Sequence, residues 1–411
     1  MKNPSEIFSK RITSLKRRDK DIEYAIKYGR FILRSIGIWP DRENKIQKYI
    51  SNVSIITGNL VLSFAIIPCG LHIIYEEKDT NSKLKLFGLL IFCICVMIKY
   101  FALSMRRSDI VRCFECLKTD WYQVKHQIHR ELMLKYAKIG RNLTMTCAVF
   151  MYTGGVIYHT ILPFVSTRMI DVSNNTLKPL VYPSYSVLYD VQKSPTYEFV
   201  YVAHFMCGYI IYSIATGACS LAAIFAMHIC GQIEILTTLI DDFVDGKKYY
   251  FSNNSTGQRL AIIVERHLRV LRFVAILEEL LQEVCLIEFA GSTFLICLLE
   301  YYCILDWEEN NKVGLCTYFI FLIATSFNIF MLCYIGESLT NKTSKVGERC
   351  YTIEWYRLSP KITSGLILII AISNNPARIT AGKMADLSLL TFSNILKTSL
   401  AYLNLLRKLI I

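Results

Sequence analysis

The sequence predicts an all-α, polytopic membrane protein with seven transmembrane helices, and three observations carry that prediction. Hydrophobic residues make up 53% of the 411 positions, and the mean hydropathy of +0.35 exceeds that of ordinary cytosolic proteins. Apolar runs long enough to cross about 30 Å of hydrocarbon at about 1.5 Å per residue recur along the chain. The cationic residues gather between those runs. A nucleic-acid binder would concentrate them on one face of a soluble domain, so the formal charge of +13 is read as loop charge and no nucleic-acid partner is expected.

Taken in order, residues 1–49 are polar and basic and contain no apolar core of a secretory signal. They are expected to form a cytoplasmic N-terminal segment, with the first span serving as its own insertion signal. Seven runs qualify as spans: 50–75, 84–105, 143–165, 199–230, 284–305, 313–335 and 387–406. The fourth and sixth are the clearest. The seventh is interrupted by Ser388, Thr391, Ser393, Asn394, Lys397, Thr398, Ser399 and Asn404. A further run at 362–372 is too short to cross and is read as a cytoplasmic helix. The expected divisions are therefore 1–49, a transmembrane unit of six helices with their loops at 50–335, a cytoplasmic anchor region at 336–383, and the seventh helix at 384–411.

Orientation follows from comparing Lys and Arg on alternate sides of the spans. The N-terminal segment and the even-numbered loops hold about 35, including Lys16, Arg17, Arg18, Arg106, Arg107, Lys247, Lys248, Arg349 and Arg357, against about 9 elsewhere outside the spans. That places the N-terminus inside and, after seven spans, the C-terminus outside. The Asn174-Asn175-Thr176 sequon then falls in an extracellular loop, while those at Asn253, Asn254 and Asn341 fall in the cytosol. Between the fourth and fifth spans, Leu260, Val264, Leu268, Leu271, Val274 and Leu277 recur at helical spacing. They predict a helix that extends the fifth span into the cytosol and joins a bundle there.

Catalytic and metal-binding patterns do not emerge. HExxH, GxSxG and a phosphate-binding loop are missing, Gly382-Lys383 having no upstream Gly of that motif. The fifteen cysteines are scattered singly, and the pair Cys113 and Cys116 has no second pair to complete a zinc site. His126 and His129 share a helix face without a completing ligand and are read as solvated. His159 and His204 fall within spans, where an ionisable group is a functional candidate as well as a packed one. An enzyme is not expected. A receptor coupled to G proteins would have its N-terminus outside, Glu265-Arg266-His267 lies in the wrong loop for that family's arginine motif, and Asn375-Pro376 leads to Ala377, Arg378 and Ile379 without the expected tyrosine. A transporter should show two halves with matching broken helices, and no such repeat is visible.

Towards the C-terminal end stand Trp355, Pro376, Thr380-Ala381-Gly382-Lys383, Leu387-Ser388, Thr391-Phe392, Leu396-Lys397, Ser399 and Tyr402. This stretch, roughly 333–409, resembles the insect odorant receptor family, with a weaker echo at 228–236. The gustatory receptors of the same superfamily are the alternative, but the Thr-Tyr start and Gln-Phe finish of their last helix are missing. The resemblance implies an odorant-gated, non-selective cation channel subunit in the plasma membrane of sensory neurons. It implies assembly with a co-receptor subunit as a heterotetramer through the cytoplasmic anchor, to which Trp355 and Tyr356 are assigned, and no cofactor or metal.

The same resemblance makes the seventh helix the pore lining, with Ser399, Tyr402, a gate at Leu405 and Leu409 near the outer mouth. A polar stripe is costly in lipid but acceptable against water or other subunits, and an apolar constriction closes by dewetting. Arg407 and Lys408 would sit near the exit. The implied pocket for a small volatile ligand lies among the outer halves of the second, third, fourth and sixth spans. The residues chosen for it are Phe87, Ile91, Met151, Gly154, Tyr158, Phe205, Tyr209, Thr317 and Phe321, an apolar set suited to binding by burial and dispersion.

Overall fold

The structure is a computed structural model that describes residues 4–39, 45–165, 178, 180–185, 187–188, 190–246 and 254–410. Among these residues the chain forms α1 (Pro4–Ser35), α2 (Lys45–Tyr75), α3 (Thr80–Met105), α4 (Arg107–Gln123), α5 (Gln127–Val165), α6 (Thr196–Asp241), α7 (Thr256–Glu308), α8 (Lys312–Thr352), α9 (Pro360–Ser373) and α10 (Leu389–Ile410). A short 3-10 turn, Trp355–Arg357, precedes α9, and a small antiparallel hairpin, β1 (Thr380–Ala381) with β2 (Ala385–Asp386), precedes α10. The fold is all-α. The sequons at Asn174 and Asn253 lie outside the described residues.

Helix starts follow local chemistry. The Asp79 carboxylate accepts from the Ser82 amide at 2.8 Å at the head of α3, Ser255 and Gln258 form a reciprocal capping box on α7, and Asn311 accepts from Gly314 N–H at 3.1 Å on α8. Five helices, α2, α3, α6, α7 and α8, are long and apolar enough to cross a membrane. The third and seventh expected spans lie in α5 and α10, which fall short of that apolarity over the described residues. In α10 the cause is its polar stripe.

Several helices run past the bilayer. The 53 residues of α7 reach about 80 Å, more than twice the hydrocarbon thickness, so the expected helical continuation of the fifth span is present. Its buried face differs from the one the sequence predicts: Ile263, His267, Val270, Val274 and Leu277 are buried, whereas Leu268 is exposed. Spacings of three and four residues fit two adjacent stripes equally well, and packing against α4 and α6 selects the one centred on Val270. Residues 4–35 and 107–123 form α1 and α4, which the sequence left without structure. They pack on each other and on α6, against which α5 also packs.

The centre of the bundle is α6, buried without interruption from Ile211 to Ile233. Its neighbours are α1, α2, α3, α4, α5, α7 and α8. A helix enclosed on every side has to be apolar all round, and small residues such as Ala215, Gly217, Ala218, Ala222 and Ala223 let its neighbours come close. Gly140 of α5 shows how close: a Cβ there would lie 3.1 Å from the Ala223 carbonyl oxygen. Before α10, Gly382 takes a φ of +60° in the hairpin turn and donates its N–H to the Gln282 carbonyl of α7 at 2.8 Å. The Thr380 N–H meets Glu278 Oε2 at 2.7 Å. A Cβ at Gly382 would also strike Leu286 at 2.7 Å, so glycine is demanded twice over at this position.

Candidate functional site

Two regions on α3, α5, α6, α8 and α10 carry the residues singled out by the sequence. In the first, α5 and α8 bring Tyr158 and Phe321 into a stack with centroids 5.2 Å apart, and Phe92 of α3 meets Phe321 edge-on at 5.8 Å. Met151, Gly154 and Thr317 are buried beside them. The Thr317 hydroxyl is spent on the Val313 carbonyl at 2.8 Å, so it presents mainly its methyl group. Ile91 is half-buried. Phe87, Phe205 and Tyr209 are exposed on the outside of the bundle and do not join the cluster.

Adjoining this cluster is a polar aromatic group that the sequence reading named only in part. His159 of α5 lies 3.2 Å from the Tyr182 hydroxyl and 3.3 Å from that of Tyr212. Tyr182 meets His204 edge-on at 5.0 Å. All four rings are buried. Missing glycine side chains make the room, since a Cβ at Gly155 would lie 2.1 Å from the Tyr212 ring and one at Gly208 2.6 Å from His159. The i, i+4, i+8 series His204, Gly208, Tyr212 and the pair Gly155, His159 were legible as matching polar and small faces on α5 and α6. Tyr182 had no such signal, because it comes from the connection between them.

About two turns further along α3 and α8, Lys99 Nζ lies 2.6 Å from Glu288 Oε2. The other Glu288 oxygen accepts from Asn328 at 2.9 Å and from Ser292 at 3.1 Å. Three helices are thereby tied beneath the aromatic cluster.

The second region is α10. Ser399 points into the bundle, its hydroxyl 3.2 Å from Glu300 Oε1 of α7 and 2.9 Å from the Leu396 carbonyl oxygen. Tyr402 and Leu405 are 53% and 54% exposed. With Leu390, Asn394, Thr398 and Ala401, also exposed, Leu405 forms a helical face that meets no other described element. The side chains of Arg407, Lys408 and Leu409 lie outside the described residues. Trp355 and Tyr356, in mutual edge-on contact at 6.2 Å, are exposed in the turn before α9.

Near the start of α5, His129 is buried, contrary to the solvated face expected of it. Burial, the nearby Arg266 cation and His126 push its pKa down to about 4. Burial raises both the Cys113 and the Cys116 thiols, which disfavours the thiolates a metal would need. Among the described residues no group of His, Cys, Asp and Glu is arranged to hold a metal.

Comparison with known proteins adds a family to this geometry. Residues 80–400 match the model of the 7tm odorant receptor family. Odorant receptor 13a of Drosophila melanogaster is 26% identical over 265 residues, which are 61% of this chain and 63% of that receptor. The chain thus spans just under two thirds of the length of that relative. Putative odorant receptor 92a of the same fly is 22% identical over 389 residues, 91% of this chain and 92% of the relative. Among solved structures, the insect olfactory receptor OR5 from Machilis hrabei superposes with a TM-score of 0.78 at 14% identity, covering 93% of this chain and 99% of that one. The same receptor in complex with eugenol gives 0.76 at 15% identity, covering 94% and 98%. At such identities the structures attest the fold, while the family model spans most of the sequence: the chain belongs to the 7tm odorant receptor family.

Proposed function

We propose that this chain is the ligand-recognising subunit of an odorant-gated, non-selective cation channel that works with a co-receptor subunit in the plasma membrane of sensory neurons. The observation that carries the reading is the pairing of two features on one scaffold: a buried aromatic cluster in the outer half of the bundle, and a face of α10 that no other described element covers. The first suits a small, mainly apolar molecule, for which eugenol in the related receptor is a precedent. The second combines Asn394 and Thr398 with Leu405, a mixture suited to a water-filled passage with one apolar constriction.

In this reading the pocket is lined by Met151, Gly154, Tyr158, Thr317 and Phe321, with Ile91 at its margin. Phe87, Phe205 and Tyr209 face lipid. Ligand binding favours the arrangement in which α10 stands further from the pore axis, and it does so only by as much as the two states differ in affinity. Residues 336–383 form the anchor, where Trp355, Tyr356 and the exposed Ile367 and Leu368 of α9 meet other subunits. The N-terminus is cytoplasmic and the C-terminus extracellular, as the distribution of Lys and Arg requires. The test is to express the chain with a co-receptor and record cation currents while applying volatile compounds. Odorant-evoked current that depends on both subunits is expected; silence across a broad panel, with both subunits at the cell surface, would sink the proposal.

A further inference from the structure

The receptor reading leaves the chemistry of the ligand open, and the following inference rests on that reading. Tyr182 belongs to the connection between α5 and α6, yet it is only 2% exposed. Its hydroxyl lies 3.2 Å from Nε2 of His159, and its ring lies against both His159 and His204. The other nitrogen of His159, Nδ1, is 3.1 Å from the Gly155 carbonyl oxygen. A carbonyl oxygen only accepts, so Nδ1 is assigned the proton and Nε2 is left as an acceptor. Among the described residues no carboxylate stands within ion-pair distance of this ring, and a charged imidazole in an apolar bundle would be costly. The ring is therefore neutral, and the Tyr182 O–H donates to Nε2.

A second observation marks the same place as a ligand position. Nδ1 of His204 is buried and has no hydrogen-bond partner, although His204 is 1% exposed. A buried polar atom left in this state is expensive until something fills its valence. With His159 Nδ1–H shared between Gly155 and the Tyr212 oxygen, the Tyr212 proton is also left over. Any molecule entering this cluster has to displace a ring. Four of the rings around it, those of Tyr158, His159, His204 and Tyr212, are fixed on helices, and the ring of Tyr182 is not.

We infer that Tyr182 is a built-in occupant of the ligand site and that the molecules this chain takes are small alcohols or phenols, whose O–H replaces that of Tyr182 on Nε2 of His159. An ether, ester, ketone or hydrocarbon of the same shape has no proton to give and leaves Nε2 empty once Tyr182 has gone. The matching phenol restores the bond and places its ring where the tyrosine ring lay. The leftover His204 and Tyr212 groups then orient any second polar atom of the ligand.

The experiment compares matched pairs on the full chain with its co-receptor: phenol against anisole, and benzyl alcohol against benzyl methyl ether. The hydroxyl compounds should act at concentrations about tenfold lower than their ethers, the worth of one buried hydrogen bond. Tyr182→Phe keeps the ring and removes its O–H, so the response to phenol should become several-fold more sensitive. His159→Phe should abolish the preference for the hydroxyl, and its amount at the cell surface, measured separately, shows whether the variant folds. Equal potency of phenol and anisole in the parent chain, or a preference that survives His159→Phe, overturns the inference. Thermal unfolding of the detergent-purified chain separates the two proposals. A midpoint raised by phenol but not by anisole, without current, supports the ligand chemistry and refutes the channel; no rise and no current refute both.

Discussion

Lys99 and Glu288 form an ion pair of 2.6 Å in which the two side chains are only 3% and 5% exposed. Both remaining bonds of the carboxylate, to Asn328 and Ser292, are made by residues of α8 and α7, so the charge is satisfied although it sits among apolar helices. Removing one partner leaves the other charged and buried. Lys99→Ala should therefore cost about 3–5 kcal/mol, whereas the double variant Lys99→Met with Glu288→Leu should cost far less, because no charge is stranded. A double-mutant cycle of thermal midpoints on purified protein measures the difference; equal losses in the single and double variants would contradict it.

The contact between Gly155 and Tyr212 gives a second expectation. A methyl group at position 155 would lie 2.1 Å from the ring, well inside van der Waals contact. Gly155→Ala should destabilise the bundle by about 1–3 kcal/mol through overpacking. Adding Tyr212→Leu should recover part of that loss, read as surface expression and unfolding temperature.

Acidity should act through His129. Its pKa of about 4 in the folded chain lies below the value near 6.5 expected when unfolded. Between those two values the unfolded state binds more protons, so the contribution is complete above about pH 6.5 and is lost as the pH falls toward about 4, by at most roughly 3 kcal/mol. Chemical denaturation at a series of pH values should show this slope in the parent chain and a shallower one in His129→Gln.

Leu405 is exposed on the uncovered face of α10. If it closes the passage by excluding water, Leu405→Ser should raise the current seen without ligand when the chain is expressed with a co-receptor. The same substitution at Leu403, which is buried against the bundle, should instead reduce the amount of protein at the surface.

An epitope tag ahead of Met1 should be inaccessible to antibody on intact cells and become accessible after permeabilisation. Labelling without permeabilisation would reverse the topology and remove the basis for a cytoplasmic anchor.

Much of the helical plan was legible because long apolar runs and charge asymmetry are coarse signals. The runs at 199–230 and 313–335 reappear inside α6 and α8 with their lengths extended at the polar ends, where hydropathy ends before the helix does. α1 was missed because its residues, such as Ile22, Ile26 and Leu33, are buried only by packing on α4, α5 and α6 and stand in a strongly basic sequence. Of the residues chosen for the pocket, Tyr158 and Phe321 stack on each other, whereas Phe205 and Tyr209 are exposed. A helix in lipid has no polar exterior to betray its orientation, so apolar residues on either face look alike. Tyr182 was invisible for another reason: its burial depends on how a connection folds back between two helices, which spacing does not encode.

The hairpin before α10 has a mechanical consequence. Because Thr380 and Gly382 are bonded to Glu278 and Gln282, the foot of α10 is fixed to α7, and further along only the side that carries Ser399 and Leu403 is held against the bundle. Leu405 stands 18 positions beyond Leu387, a lever arm of about 27 Å at 1.5 Å per residue. A tilt of about 5° at the foot would carry the tip sideways by roughly 2 Å, the scale on which the proposed constriction at Leu405 would have to widen.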